Sequence, residues 1–260
     1  MSTISSSKPK VALVTGAAKR LGRVIALELA RAGWDIAVHY GASRNEAEQT
    51  VDAIRALGRR AEAVQCELAD EAAVRELLPH AHNLLGQVGC IVNNASLFDY
   101  DAAADFSQAS LDRHMHINLA APILLARALH DATPDGEQAV VINLLDQKLY
   151  NLNPDFLSYT LSKAALESAT TMLAQALAPR VRLVGVAPGL TMISHLQTEE
   201  EFSATHALSP LGASSRPDEV AQAVVFAAQN RALTGTTLLV DGGQHLMSMS
   251  RDFSLINRNT

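Results

Sequence analysis

Lys10-Val-Ala-Leu-Val14, Thr15-Gly-Ala-Ala-Lys-Arg-Leu-Gly22 and the stretch 24–32 decide how this chain folds. The first is a short apolar run of strand length. The last carries Val24, Ile25, Leu27, Leu29 and Ala30 at helical spacing and reads as an amphipathic helix. Between them the turn holds two glycines six residues apart. Such a pair alone marks an ordinary turn, and the pattern G-x-G-x-x-G is absent. Strand, glycine turn and helix in succession nevertheless make a phosphate site. Glycine lets backbone approach a pyrophosphate, and the helix start offers free N–H groups and positive potential.

Working outward, the alternation continues. Strands are predicted near 11–15, 35–40, 61–66, 90–93, 138–144, 181–187 and 236–240, and helices near 21–32, 45–57, 70–85, 110–131, 158–177 and 217–229. Strands separated by helices imply an α/β fold: a doubly wound parallel sheet of seven strands with helices on both faces and right-handed crossovers. A chain of 260 residues with 48% hydrophobic content buries one large core, so residues 1–260 are expected to form a single domain. Residues 1–9 are polar and Ser-rich and read as a flexible terminus without a signal-peptide apolar region. The connection 189–216, with Glu199-Glu-Glu201 and Ser209-Pro-Leu-Gly212, is long enough to be functional; its charged run reads equally as a solvated turn or a short helix. The tail 244–260 carries Leu246, Met247, Met249, Phe253, Leu255 and Ile256, too apolar for pure solvation. Two placements remain open for it: a subunit interface bordering a neighbour's pocket, or its own subunit.

Net charge of −6 advertises no polyanion-binding surface, which argues against a nucleic-acid partner. No apolar run approaches the ~18 residues of a membrane helix. Cys66 and Cys90 fall at predicted strands and read as buried free thiols rather than a disulfide or metal site. A cytoplasmic, metal-free protein is expected.

Tyr159-Thr-Leu-Ser-Lys163, with Asp146 thirteen residues upstream, carries the chemistry. A phenol and an ammonium four apart lie on one helix face, and a fixed cation favours the phenolate. A phenol so poised donates a proton to a group receiving hydride. Alone, the pair would be incidental on an exposed helix, and Asp146 would be a loop cap after the strand.

Together, T-G-x-x-x-x-x-G, Asn93-Asn-Ala-Ser96, Asn118, Tyr159-x-x-x-Lys163 and Pro188-Gly189 resemble the short-chain dehydrogenase/reductase family in order and spacing, over about residues 10–243. The resemblance implies an NAD(P)-dependent oxidoreductase with a Rossmann-like sheet, and a loop 189–216 that covers the substrate. It places the cofactor against Gly16, Lys19, Arg20, Leu21 and Gly22, then His39, Tyr40, Ser43 and Arg44. Glu67 and Leu68 fall near the adenine, where relatives carry Asp-Leu or Asp-Val. Asn94, Ala95, Ser96, Tyr159, Lys163, Pro188 and Gly189 complete the set. Enzymes that use NAD usually have an acid at the end of the second strand. Here Asp35-Ile-Ala-Val-His39-Tyr40 runs into Gly-Ala-Ser43-Arg44, with no acid. Lys19, Arg20, Arg44 and Ser43 suit a 2′-phosphate, favouring NADPH, although Arg44 would equally open the next helix as a surface residue.

Most members carry glycine where Arg20 and Ser96 stand, and serine where Asp146 stands. All three departures resemble the pteridine reductases and dihydromonapterin reductases, as do His39-Tyr40, Asn93-Asn-Ala-Ser-Leu-Phe98 and Pro188-Gly-Leu190. That branch implies Phe98 stacking on a pterin, with Arg20 and Ser96 touching both pterin and cofactor phosphates. Asn118 would organise water leading from Lys163. The chemistry agrees: an ionised carboxylate only accepts hydrogen bonds, so Asp146 opposes a developing alkoxide, whereas a pterin offers N–H donors and takes a proton at a ring nitrogen. Asp146 and Tyr159 would bind that edge and relay a proton. The expected activity is therefore NADPH-dependent reduction of a dihydropterin, dihydromonapterin or dihydrofolate-like substrate. The alternatives are a carbonyl or 3-oxoacyl thioester reductase and a non-catalytic nucleotide-sensing regulator; the latter typically loses the Tyr or Lys kept here. A homotetramer built on helices 110–131 and 158–177 is implied by the family.

Overall fold

Along each strand of this protein alternate apolar side chains turn to opposite faces, and each face finds its own helices. In the computed structural model, which describes residues 10–193 and 197–256, the strands are β1 (Lys10–Val14), β2 (Trp34–Tyr40), β3 (Ala61–Gln65), β4 (Val88–Asn93), β5 (Ala139–Leu144), β6 (Val181–Pro188) and β7 (Thr236–Val240). They form one parallel sheet in the order β3-β2-β1-β4-β5-β6-β7. Ala12, Val14, Ile36, Val38 and Val92 pack on one side against α1 (Arg20–Arg31), α2 (Arg44–Ala56) and α8 (Pro217–Gln229), through Ile25, Leu29, Ile54, Val220 and Val224. Val11, Leu13, Ile91, Val141 and Leu183 pack on the other against α3 (Glu71–Leu85) and α5 (Ala121–Ala132), through Leu77, Leu78, Leu125 and Leu129. Cys66 and Cys90 are buried and free.

The strand order reverses between β1 and β4. The glycine turn after β1 and the Asn-rich segment after β4 therefore meet at the C-terminal edge of the sheet, where such folds open a crevice. The predicted helix 110–131 proves to be α4 (Gln108–Met115), a π-helical turn (His116–Ala120) and α5. A π turn inserts one residue into the helical register and is frequent at functional sites; Asn118 sits in it. The charged run 199–201, left open between a solvated turn and a short helix, opens a helix, whereas the turn after Asp146 had no counterpart in the predictions. The connection 189–216 contains α7 (Glu199–Ala207), opened by a reciprocal Thr198–Glu201 capping box. A 3-10 turn (Gln147–Tyr150) follows Asp146, ahead of α6 (Leu157–Ala176). The terminus 1–9 lies outside the described residues, as do 194–196 of the connection and 257–260 of the tail. Up to Ile256 the tail folds onto its own subunit: Phe253 and Leu255 are buried, and Leu255 packs with Phe156 and Tyr159.

Candidate active site

The glycine turn is built to hold backbone close. Gly16 has φ of +63°, and a Cβ on Gly22 would lie 2.2 Å from the Gly16 carbonyl oxygen. Thr15 ties the turn to the end of β4: its Oγ1 accepts from the backbone N–H of Asn94 and Ala95, both at 3.0 Å. The Asn94 amide donates back to the Thr15 carbonyl at 2.9 Å. From β2, His39 Nδ1 accepts from the Gly16 N–H at 3.0 Å, while Nε2 donates to the Cys66 carbonyl at 3.1 Å. Burial holds this imidazole neutral, pushing its pKa down to about 4. His39 thus clamps the turn through both ring nitrogens, although it also lines a small hollow of about 170 Å³ with Glu67, Leu68, Ala95 and Ser96. Tyr40 packs into the core.

Lys19 and Arg20 stand exposed at the head of α1, whose start has no side-chain cap and no acid in its first turn. Arg20 occupies the left-handed region at φ +53°, a conformation in which glycine carries no steric penalty. Its guanidinium reaches the Ile193 carbonyl at 2.8 Å. At the end of β2, Ser43 makes no cap bond, and Arg44 is 75% exposed and lies 3.8 Å from Glu48. Asp35, the acid of β2, is at the opposite end of the strand, paired with Arg59 and Arg60.

On the far side of the switch point, α6 delivers Tyr159 and Lys163. Asp101 sets its start, accepting from the Ser158 N–H at 2.9 Å and from the Ser158 hydroxyl. Tyr159 Oη donates to Asp146 Oδ2 at 2.7 Å, and Asp146 Oδ1 accepts from Lys148 N at 2.8 Å. Asp146 is therefore both a cap of the 3-10 turn and the partner of the phenol. Burial raises its carboxyl pKa against these bonds. Burial, then the facing carboxylate, drive the Tyr159 phenol well above its usual range. This corrects the expectation of an acidified phenol. Its hydrogen-bond partner is an acceptor, and Lys163 Nζ is turned to the Leu144 carbonyl at 2.6 Å. Burial lowers the lysine to about 8. Asn118 accepts from Leu97 N at 2.8 Å and Ser96 Oγ at 3.2 Å, and donates to Leu97 O and Ser162 Oγ, both at 3.0 Å. Its side chain is thereby committed to the joint between the segment after β4 and α6.

Two adjoining hollows complete the site. One of about 210 Å³ is lined by Arg20, Leu21, Asn94, Ser96, Lys163, Pro188 and others. The second, about 230 Å³, lies between Arg20, Phe98, Gly189, Thr191 and the tail residues 252–254. Asp146 and Tyr159 line both. Phe98 stacks on Phe156, centroids 4.3 Å apart, and meets the Tyr159 ring edge-on. A Cβ on Gly189 would strike Gln244 Oε1 and Ser214 Oγ at 2.4 Å, so the wall there requires glycine. Sequence reasoning missed Thr15 as a tie, Asp101, Phe156, Thr191 and the tail residues. For the tail the signal was its apolar content, Phe253 included.

The model of the family described as enoyl-(acyl carrier protein) reductase matches residues 16–245. The chain is a short-chain dehydrogenase/reductase. Among solved members, FolM alternative dihydrofolate reductase 1 from Brucella suis, in complex with NADP, is 39% identical with a TM-score of 0.89, covering 92% of this chain and 96% of that one. The angucycline C-6 ketoreductase LanV with bound NADP is 30% identical with a TM-score of 0.84, covering 92% and 96%. A 3-oxoacyl-[acyl-carrier-protein] reductase, FabG of Staphylococcus aureus, is 29% identical over 91% of this chain and 98% of its own. This short-chain dehydrogenase/reductase is thus an oxidoreductase of a family that uses NAD(P). The glycine cradle that a Cβ would fill, and the cations around an acid-free end of β2, fit such a dinucleotide.

Proposed function

We propose that this chain is an NADPH-dependent reductase of a pterin-type substrate, a dihydropterin such as dihydromonapterin or a dihydrofolate-like molecule. The observation that carries the proposal is the 2.7 Å hydrogen bond from Tyr159 to a partly accessible Asp146 at the junction of the two hollows. A ketone oxygen arriving there meets an acceptor where it needs a donor. A pterin edge presents N–H groups to the carboxylate and a ring nitrogen that takes up a proton. Burial raises the proton affinity of both Asp146 and Tyr159, and the hydrogen bond between them gives a proton a direct path from one to the other.

Bound NADPH supplies the hydride. Lys19, Arg20, Ser43 and Arg44 hold its 2′-phosphate and pyrophosphate, Gly16 and Gly22 let it approach, and Glu67 and Leu68 border its adenine. Asn94, Ala95, Pro188 and Gly189 line its path. Lys163 holds the ribose, and Asn118 keeps the proton route behind the lysine in order. Phe98, backed by Phe156, forms an aromatic wall for the pterin, with Arg20 and Ser96 between substrate and cofactor. The active form is a cytoplasmic homotetramer.

Similarity to FabG and LanV favours a second reading, a carbonyl or 3-oxoacyl thioester reductase. Titrating the NADP⁺-loaded protein with dihydrobiopterin and with a 3-oxoacyl thioester tests the two. The proposal expects saturable pterin binding, weakened by Phe98→Ala; binding of the thioester alone would favour the second reading.

A further inference from the structure

Lys148 is 2% exposed, and its ammonium has three protons to place. They go to Asn153 Oδ1 at 2.6 Å, the Asp155 carbonyl at 2.7 Å and Asp252 Oδ2 at 2.8 Å. The Phe156 ring lies 5.3 Å away. A buried cation so fully satisfied joins three separate pieces of chain: the 3-10 turn, the loop before α6, and the tail. Around it the tail is sewn down further. Asp252 N donates to Asp155 Oδ2 at 2.8 Å, Arg251 pairs with the same carboxylate, and Asp252 Oδ1 accepts from Ser254 N and Oγ.

The backbone N–H of this same Lys148 holds Asp146 Oδ1. Asp252, Phe253 and Ser254 meanwhile wall the hollow that contains Asp146, Tyr159 and Phe98. We propose that Lys148 and Asp252 are a positioning pair: they lock the C-terminal segment over the substrate hollow and, through the Lys148 backbone, fix the orientation of Asp146. The inference rests on the reading of Asp146 as a proton-relay group, but not on which substrate is reduced.

The charges facing Asp146 are Tyr159 and Lys163 from α6, Lys148 from the 3-10 turn, Asp252 from the tail and Arg20 from the glycine turn. Asp252 adds negative charge near Asp146 and Tyr159 and raises both. Asp252→Asn keeps the shape and an acceptor for Lys148 while removing that charge. The limb of the activity profile that Asp146 sets should therefore move to lower pH in Asp252→Asn. Lys148→Met should lower kcat at least about tenfold, because the platform under Asp146 and the tail are released together. Phe253→Ala leaves the Lys148–Asp252 pair and the bond from Lys148 N to Asp146 in place; it should raise KM, lower kcat less than Lys148→Met does, and not move the limb.

The experiment is the pH profile of kcat and kcat/KM for these three variants, with NADPH and whichever of dihydrobiopterin or a 3-oxoacyl thioester the parent reduces, so failure of the pterin assignment does not decide it. A limb unmoved in Asp252→Asn, or a Lys148→Met variant that lowers kcat no more than Phe253→Ala does, overturns the proposal. If Lys148→Met does not fold, the Asp252→Asn limb alone decides.

Discussion

Replacing Asp146 by serine separates the carboxylate's structural and chemical work. The carboxylate makes two bonds, accepting from Lys148 N at 2.8 Å and from Tyr159 Oη at 2.7 Å. A serine hydroxyl at the same position is as good a helix cap, so the 3-10 turn should survive. It does not span to the phenol with an ionisable acceptor. General acid–base groups contribute on the order of 10²–10⁴ in rate, or roughly 3–5 kcal/mol of barrier, and dihydropterin turnover should fall by that factor. Affinity for NADPH should change less than about twofold, because the glycine turn, Ser43 and Arg44 are untouched. Stability moves the other way with pH. A buried carboxyl with a raised pKa contributes fully below the unfolded value of about 3.9, and that contribution is lost as pH rises through the folded value. Chemical denaturation should therefore show the variant gaining on the parent between acid and neutral pH. Some ketone reduction should appear, since a donor replaces an acceptor beside Tyr159. Steady-state kinetics with both substrate classes, beside cofactor titrations, check this. Dihydropterin turnover equal to the parent's would reduce Asp146 to a loop cap.

Other outcomes follow from the same geometry. Gly22→Ala drives a Cβ to 2.2 Å from the Gly16 carbonyl oxygen, so unfolding free energy should drop by about 1–3 kcal/mol and NADPH titration should show lost binding. His39 titrates at about 4 in the fold and about 6.5 unfolded, so its contribution is present above pH 6.5 and lost as pH falls through 4. The parent-minus-His39→Gln stability difference should fall across that window in denaturant melts. Lys163, lowered to about 8, costs the cofactor-free fold stability below pH 8, relieved as pH rises toward about 10.4. The parent-minus-Lys163→Met difference should rise over that range. Arg44→Ala together with Lys19→Ala should narrow the preference for NADPH over NADH, read from the two dissociation constants.

The sheet was legible in the sequence because each strand is a short apolar run cut off by a helical pattern, and a doubly wound topology follows from that alternation. The place where the singled-out side chains meet was legible too. Tyr159, Lys163 and Asp146 converge as spacing on one helix face and after one strand implied. What the sequence hid was set by long-range packing. The π turn at Asn118 leaves no mark in a continuous apolar repeat. The buried cation Lys148 reads as a surface residue until Asp252, 104 positions later, closes on it. The phenol's proton affinity was misread because helical spacing puts Lys163 near Tyr159, while only the fold reveals that the carboxylate is the nearer partner. His39 looked like a cofactor contact and proves first to be a clamp on Gly16, since a pairing across two strands is not visible from either alone.

The most direct test of the account is the ratio of kcat/KM values for dihydrobiopterin and for a 3-oxoacyl thioester, measured with NADPH on one preparation at neutral pH. A site whose buried polar groups match one substrate's hydrogen bonds rejects the mismatched one strongly, so the ratio should favour the dihydropterin by about 100-fold or more. A ratio below one would contradict the pterin assignment and hand the site to carbonyl reduction.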